Sequence, residues 1–107
     1  MYLFSALFFG TGRSCRLSSI CLLTARVQTE SVEKTGRCVV IHEAPLTCGV
    51  GAEIVAQVAE KALFSLKAPP ERVAGFDTIV PYAKMEKYYI PSEKRIIDAV
   101  NRVMEFA

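Results

Sequence analysis

CVVIHEAPLTCGVGAEIVAQVAEKALFSL, residues 38–66, is the stretch that decides the fold. Its first four residues, 38–41, are apolar without polar alternation, which predicts a strand buried on both faces in a parallel sheet covered by helices. The turn at Gly49 and Gly51 lets the backbone reverse, and a helix is expected to begin near Ala52. One side of that helix carries the apolar residues Ile54, Val55, Val58, Ala59, Ala62 and Leu66. Strand, turn and helix make half of a βαβ unit.

Downstream of this unit the sequence predicts a second strand and a last helix. Residues 68–70, Ala-Pro-Pro, forbid further helix, and residues 72–76 are expected to form a strand parallel to the first. Residues 77–91 form a long connection with three tyrosines and two prolines, and such loops tend to be interaction surfaces. Ser92 is the expected N-cap of the last helix. Its predicted apolar face comprises Ile96, Ile97, Val100, Val103 and Met104.

Upstream of the central strand, a short helix is expected from Thr29, with Gly36 as the glycine that follows its end. Residues 1–28 hold three arginines and four serines but no acidic residue. An apolar run that precedes the charges disfavours a secretory signal, and Arg13 with Arg16 interrupts any membrane-spanning window. An organellar transit segment and an irregular start that covers a core edge stay open as alternatives. Residues 19–24 are predicted to be a strand.

Length and charge bound the classes of function. The 107 residues suffice for one domain, and 51% of them are hydrophobic, which is typical of a globular protein. Residues 1–37 carry a net charge of +3, and residues 38–107 carry −1. The body therefore lacks the clustered basic stripe that a nucleic acid needs.

The four cysteines form no CxxC pair, so the sequence gives no sign of a zinc knuckle or a dithiol redox centre. Cys38 lies in the predicted buried strand, where a reduced thiol behaves as a small hydrophobe. A metal site made from Cys38, His42 and Cys48 is rejected. Four residues of strand place the first two Cα atoms about 13 Å apart, too far to share one ion.

His42 is the only histidine and ends the predicted strand, where functional groups of α/β sheets gather. Its neighbour Glu43 would point to the opposite face, so a structural role beneath the glycine turn, with an orienting hydrogen bond, is favoured over catalysis. The same turn could cradle a phosphate, but Ile54 occupies the place of the third glycine and Glu53 would repel an anion. A structural turn is the better interpretation.

Five motifs in order carry a family resemblance: ESVEKTGRCVVIHEAP at 30–45, TCGVGAEI at 47–54, RVAGFDT at 72–78, VPY at 80–82 and EKYYIPS at 86–92. Together they resemble the C-terminal domain of the beta chain of thiamine-diphosphate-dependent 2-oxo acid dehydrogenases. These are the pyruvate and branched-chain types, in the transketolase-like superfamily. The resemblance spans residues 29–107 and leaves residues 1–28 as a divergent or transit-like segment.

The resemblance implies a three-layer α/β/α domain. It also implies three partners: a second beta chain, an alpha chain of the same complex, and the acyltransferase core to which the domain docks. In the family, thiamine diphosphate and magnesium are held by the alpha chain and by the preceding domain of the beta chain. This sequence has no Gly-Asp-Gly motif with a following Asn pair. We therefore expect no cofactor or metal site and no catalytic residue here, and an assembly and docking domain that is inactive alone.

Two residues are candidates for partner contact on this resemblance. Asp77 lies on the late loop and Phe106 at the chain end, where the family docks its partners. The alternatives are a turn-forming role for Asp77 and a core contact at the helix end for Phe106. A stand-alone protein-binding domain and one half of a split thiamine-diphosphate enzyme also stay open as functions. The compartment is expected to be the bacterial or archaeal cytoplasm, or the mitochondrial matrix if residues 1–28 are a transit segment.

Residues 1–28 depart from the family pattern, which has a strand, a helix and a second strand before position 29. We expect the sheet to lack its first strand, as in a natural fragment or a mis-started product. An unpaired edge on the central strand would make the chain prone to aggregate, unless the apolar N-terminal patches cover that edge.

Overall fold

The computed structural model describes the backbone of residues 5–8, 14–16 and 24–106, and the side chains of residues 29–106. Four strands, four α-helices and one 3₁₀ turn are described. In chain order they are β1 (Ser5–Phe8), β2 (Ser14–Arg16), α1 (Thr24–Thr35), β3 (Cys38–Pro45), α2 (Val50–Ala62), the 3₁₀ turn Leu63–Ser65, β4 (Glu71–Gly75), α3 (Glu86–Tyr89) and α4 (Glu93–Glu105).

The strands form one sheet in the order β2-β1-β3-β4. β3 and β4 are parallel, with Val40 opposite Arg72, which confirms the predicted pairing. The other edge of β3 is paired antiparallel with β1, with Ala6 opposite Val40. β1, residues 5–8, lies within the apolar run of residues 2–9, and it pairs with the edge that the sequence left open. Of the predicted strand at 19–24, residues 19–23 lie outside the described part and Thr24 begins α1.

Helices cover both faces of β3, which confirms the three-layer α/β/α class. On one face α1 and α2 pack against the sheet through the buried side chains of Val32, Cys38, Val40, Ile54, Val58 and Ala62. On the other face α4 packs through a second cluster, composed of Val39, Ala68, Val73, Ala99 and Val103. Successive side chains of β3 thus enter opposite clusters, as the unbroken apolar run predicted.

The ends of two helices follow local sequence signals. Gly36 takes φ +72°, and its N–H donates to the carbonyl of Val32 at 2.7 Å, which is the predicted glycine stop of α1. The backbone N–H of Arg95 donates to the hydroxyl of Ser92 at 3.4 Å, which confirms the N-cap of α4. α2 ends at Ala62, before the predicted Leu66, because the chain tightens into the 3₁₀ turn.

The predicted apolar face of α4 was wrong at two positions. Ala99 and Val103 are buried, whereas Ile97 is 56% exposed and Met104 is 49% exposed. β4 covers the side of α4 that carries residues 96, 99, 100 and 103, with Ile96 and Val100 partly buried. Ile97 and Met104 each come one position after a residue on that side. One position corresponds to about 100° around the helix axis, which places both side chains towards solvent.

No helix among the described residues is long and apolar enough to cross a membrane.

We predict that Val58→Asp destabilises the domain by roughly 3–5 kcal/mol, because Val58 is 1% exposed and the variant buries an unpaired charge. Lys61→Asp, on the exposed side of the same helix, should cost less than about 1 kcal/mol. Chemical denaturation measures both free energies of unfolding. Equal losses would contradict the assigned buried face of α2.

Candidate subunit-contact surface

The segment between β4 and α4 exposes an unusual number of large apolar side chains. Seven large apolar side chains are exposed there, and Ile79 and Tyr82 are 90% and 95% accessible. The seven are Phe76, Ile79, Val80, Tyr82, Met85, Tyr88 and Ile90. We call residues 76–90 the exposed segment. Single exposed apolar residues are ordinary, but a concentration of this kind is typical of a protein-interaction site.

The far end of the exposed segment is fixed by Tyr89, the last residue of α3. Tyr89 is 5% exposed and packs against Gly75, the last residue of β4. A Cβ atom on Gly75 would lie 2.6 Å from the ring carbon Cζ of Tyr89, so a larger residue at position 75 would displace the ring. The segment therefore leaves the sheet after Gly75 and returns to contact Gly75 through Tyr89.

Asp77 lies at the near end of the segment, and both its carboxylate oxygens are bonded within the chain. Oδ1 accepts from the backbone N–H of Thr47 at 2.8 Å, and Oδ2 accepts from the Thr47 hydroxyl at 2.5 Å. These bonds, the hydroxyl first, lower the pKa of Asp77 below its ordinary value. Thr47 belongs to the loop after β3, so the carboxylate joins the loops that follow two neighbouring strands.

Phe106 lies on a different surface. It is 52% exposed and lines an open groove of about 400 Å³ with Pro69, Glu71, Arg102, Val103 and Glu105. Glu71 accepts two hydrogen bonds from Arg102, at 3.0 and 3.1 Å. Glu71 begins β4, whereas the exposed segment follows the other end of that strand. The two predicted contact residues are therefore not brought together.

His42 lies where the sequence predicted it, beneath the glycine turn. It is 3% exposed, and its ring packs against Gly51 and against Gly49, where an added Cβ would lie 2.7 Å from Cε1. Burial, followed by the positive charge of Arg72, lowers the pKa of His42. A neutral ring that fills the space under the turn explains why both positions are glycine.

The remaining candidate residues, Cys38, Cys48 and Glu53, do not form a common site. Burial raises the pKa of the Cys38 thiol to about 12, whereas Cys48 is exposed in the next loop. Within residues 29–106 no three His, Cys, Asp or Glu side chains are grouped to hold a metal ion. The Glu53 carboxylate, in the first turn of α2, accepts a hydrogen bond from Gln57 at 2.9 Å.

Sequence reasoning missed Thr47 and Arg95. The guanidinium of Arg95 lies 4.7 Å from the ring centre of Phe76 and donates to the carbonyl of Ala74 at 2.9 Å. Thr47 and Asp77 are 30 residues apart. No local pattern in the sequence signals either contact.

Most of the chain matches one known protein family. Residues 16–96 match the family model described as Transketolase, C-terminal domain. A 76-residue stretch is 53% identical to pyruvate dehydrogenase E1 component subunit beta of Leifsonia xyli, and covers 71% of this chain and 23% of the relative. The 3-methyl-2-oxobutanoate dehydrogenase subunit beta of Mycobacterium tuberculosis is 45% identical over 74 residues, covering 69% and 21%. The chain thus spans less than a quarter of the length of these relatives.

We predict that a carboxyl-detected NMR titration finds the pKa of Asp77 below its ordinary value of 3.8. Thr47→Val removes the hydroxyl donor and should raise that pKa. Because the pKa of Asp77 is depressed in the folded state, its bonds to Thr47 stabilise the fold above the unfolded-state pKa. This stability is lost as the pH falls through the folded-state pKa. Thr78→Val, a change of the neighbouring exposed threonine, is the control and should leave the pKa of Asp77 unchanged.

Proposed function

The chain belongs to the transketolase C-terminal domain family, and from that premise we propose that it is the C-terminal assembly and docking domain of a 2-oxo acid dehydrogenase beta chain. The complete complex would carry out oxidative decarboxylation of pyruvate or of a branched-chain 2-oxo acid. Both kinds of dehydrogenase are named among the relatives, at 53% and 45% identity. The chain alone would be inactive.

The exposed segment is the observation that carries this proposal. A standard protein interface buries about 800 Å² on each partner, and seven large side chains offer an apolar area of that order. Their exposure in the single chain has a direct explanation if a partner covers them. We assign this contact to a second beta chain, because the relatives are subunits by name and a two-fold contact is the commonest arrangement in protein assemblies.

Phe106 and its groove are proposed as a second, separate contact, for the acyltransferase core. The groove combines the apolar side chains of Phe106 and Pro69 with two carboxylates, Glu71 and Glu105, and one guanidinium, Arg102. This lining suits a partner segment with an apolar anchor and a net positive charge. An alpha chain completes the proposed set of partners.

Thiamine diphosphate and magnesium would be bound elsewhere in the complex, by the alpha chain and by the preceding part of a full beta chain. Two described carboxylates near the ends of β4, Asp77 and Glu71, are bonded to groups of this chain. We propose the bacterial cytoplasm as the location, since the relatives compared above come from bacteria.

We predict that the chain self-associates and that the double variant Ile79→Ser, Tyr82→Ser weakens the dimer at least about tenfold. Each buried apolar side chain contributes roughly 1.5–3 kcal/mol, and about 1.4 kcal/mol is tenfold in affinity. Sedimentation equilibrium measures the dissociation constants. Phe64→Ser is the matched control, because Phe64 is 102% exposed but lies outside the exposed segment. A monomeric wild type that unfolds in two states would favour a stand-alone binding domain instead.

We also predict that isothermal titration of the chain with thiamine diphosphate and magnesium gives no saturable heat, because the cofactor groups lie on other parts of the complex. A complete E1 component, titrated in the same way, is the positive control. Saturable binding to this chain would support the split-enzyme alternative and overturn the assembly proposal.

A further inference from the structure

We propose that Asp77 is a positioning residue: its bonds to Thr47 set the conformation in which the exposed segment meets its partner. This inference rests on the proposed function and adds a means of control to the same surface. Partner affinity would depend on the loop after β3, residues 46–49, without that loop touching the partner. Asp77 was expected to contact the partner directly, and its bonding suggests a different role.

The first argument is that the Asp77 carboxylate is bonded within the chain. Both oxygens of Asp77 accept from one residue, Thr47, at 2.8 and 2.5 Å. The two bonds occupy one acceptor site on each oxygen and hold the carboxylate in one orientation against the loop after β3. A second bond supports the same junction, since Arg72 of β4 donates through Nη1 to the carbonyl of Leu46 at 3.0 Å. The loop after β3 is therefore tied to both β4 and the exposed segment.

The second argument is that the loop after β3 is itself fixed. Gly49 rests on the buried ring of His42, and its carbonyl accepts the N–H of Ala52 at 3.0 Å in the first turn of α2. The loop lies between a core strand and a core helix, so it has little freedom to follow the exposed segment. The bonds from Thr47 to Asp77 therefore fix the segment to the body of the domain.

The third argument is that the segment is anchored at both ends and exposed between them. Arg95 stacks on Phe76 at 4.7 Å, and Tyr89 packs on Gly75 at the return point. Between these anchors lie the two most exposed large apolar side chains of the segment, Ile79 and Tyr82. Fixed ends limit the conformations that the middle can adopt, which reduces the ordering cost when a partner binds.

The bonds between Thr47 and Asp77 can be removed by changing either residue. Asp77→Ala removes both acceptors, and Thr47→Val removes the hydroxyl but leaves the backbone N–H. Thr47→Ser keeps the hydroxyl and should behave as wild type. Glu86→Gln is the matched control, because it also removes a negative charge from the exposed segment but lies away from the Thr47 bonds.

The first readout needs no partner. Trypsin cleavage after Lys84 and Lys87, both exposed residues of the segment, is timed by mass spectrometry and compared with cleavage after Lys61 in α2. Asp77→Ala and Thr47→Val should accelerate cleavage in the segment at least about threefold and leave cleavage at Lys61 unchanged. Unchanged cleavage in the segment of both variants would overturn the proposal.

The second readout is the dissociation constant of the dimer. Both single variants should weaken it, and the double variant should be no weaker than Asp77→Ala, because both changes remove the same interaction. A loss of affinity in Asp77→Ala without any loss in Thr47→Val would mean direct contact by Asp77 and would overturn the positioning role. A monomeric wild type would refute the proposed self-association alone, and the cleavage rates would then decide the positioning role.

Discussion

Burial of β3 on both faces is the constraint on which the rest of the structure depends. Cys38, Val39 and Val40 are each fully buried, and they enter two different side-chain clusters. A strand of this kind cannot be stable unless helices cover both sides, because either open face would expose a continuous apolar surface. The positions of α1, α2 and α4 follow from that requirement.

The same constraint determines where function can lie. β3 and β4 are parallel, so the loops that follow them meet at one edge of the sheet. In many α/β proteins this edge holds a reaction centre, but here the His42 ring packs beneath a glycine turn and the Asp77 carboxylate is bonded to Thr47. What the edge presents to solvent is an apolar segment with anchored ends. This edge carries the surface that the proposed function assigns to a second beta chain.

The second edge of β3 is paired by a strand from early in the chain. This strand, β1, runs in the antiparallel direction. An unpaired central strand would offer its backbone groups to any other chain, so this pairing removes a hazard of aggregation. The groove beside Phe106 and the exposed segment lie at opposite ends of β4.

By itself the sequence determined the central strand, the parallel second strand, the Gly36 stop, the Ser92 cap and the buried side of α2, because each depends on local periodicity or backbone chemistry. It also determined the family, through several motifs in order. Only the tertiary structure decided the pairing of β1 with β3, the exposure of Ile97 and the bonds from Thr47 to Asp77. These depend on which surfaces meet after the chain has folded, and two residues 30 positions apart, such as Thr47 and Asp77, carry no local signal of such a meeting.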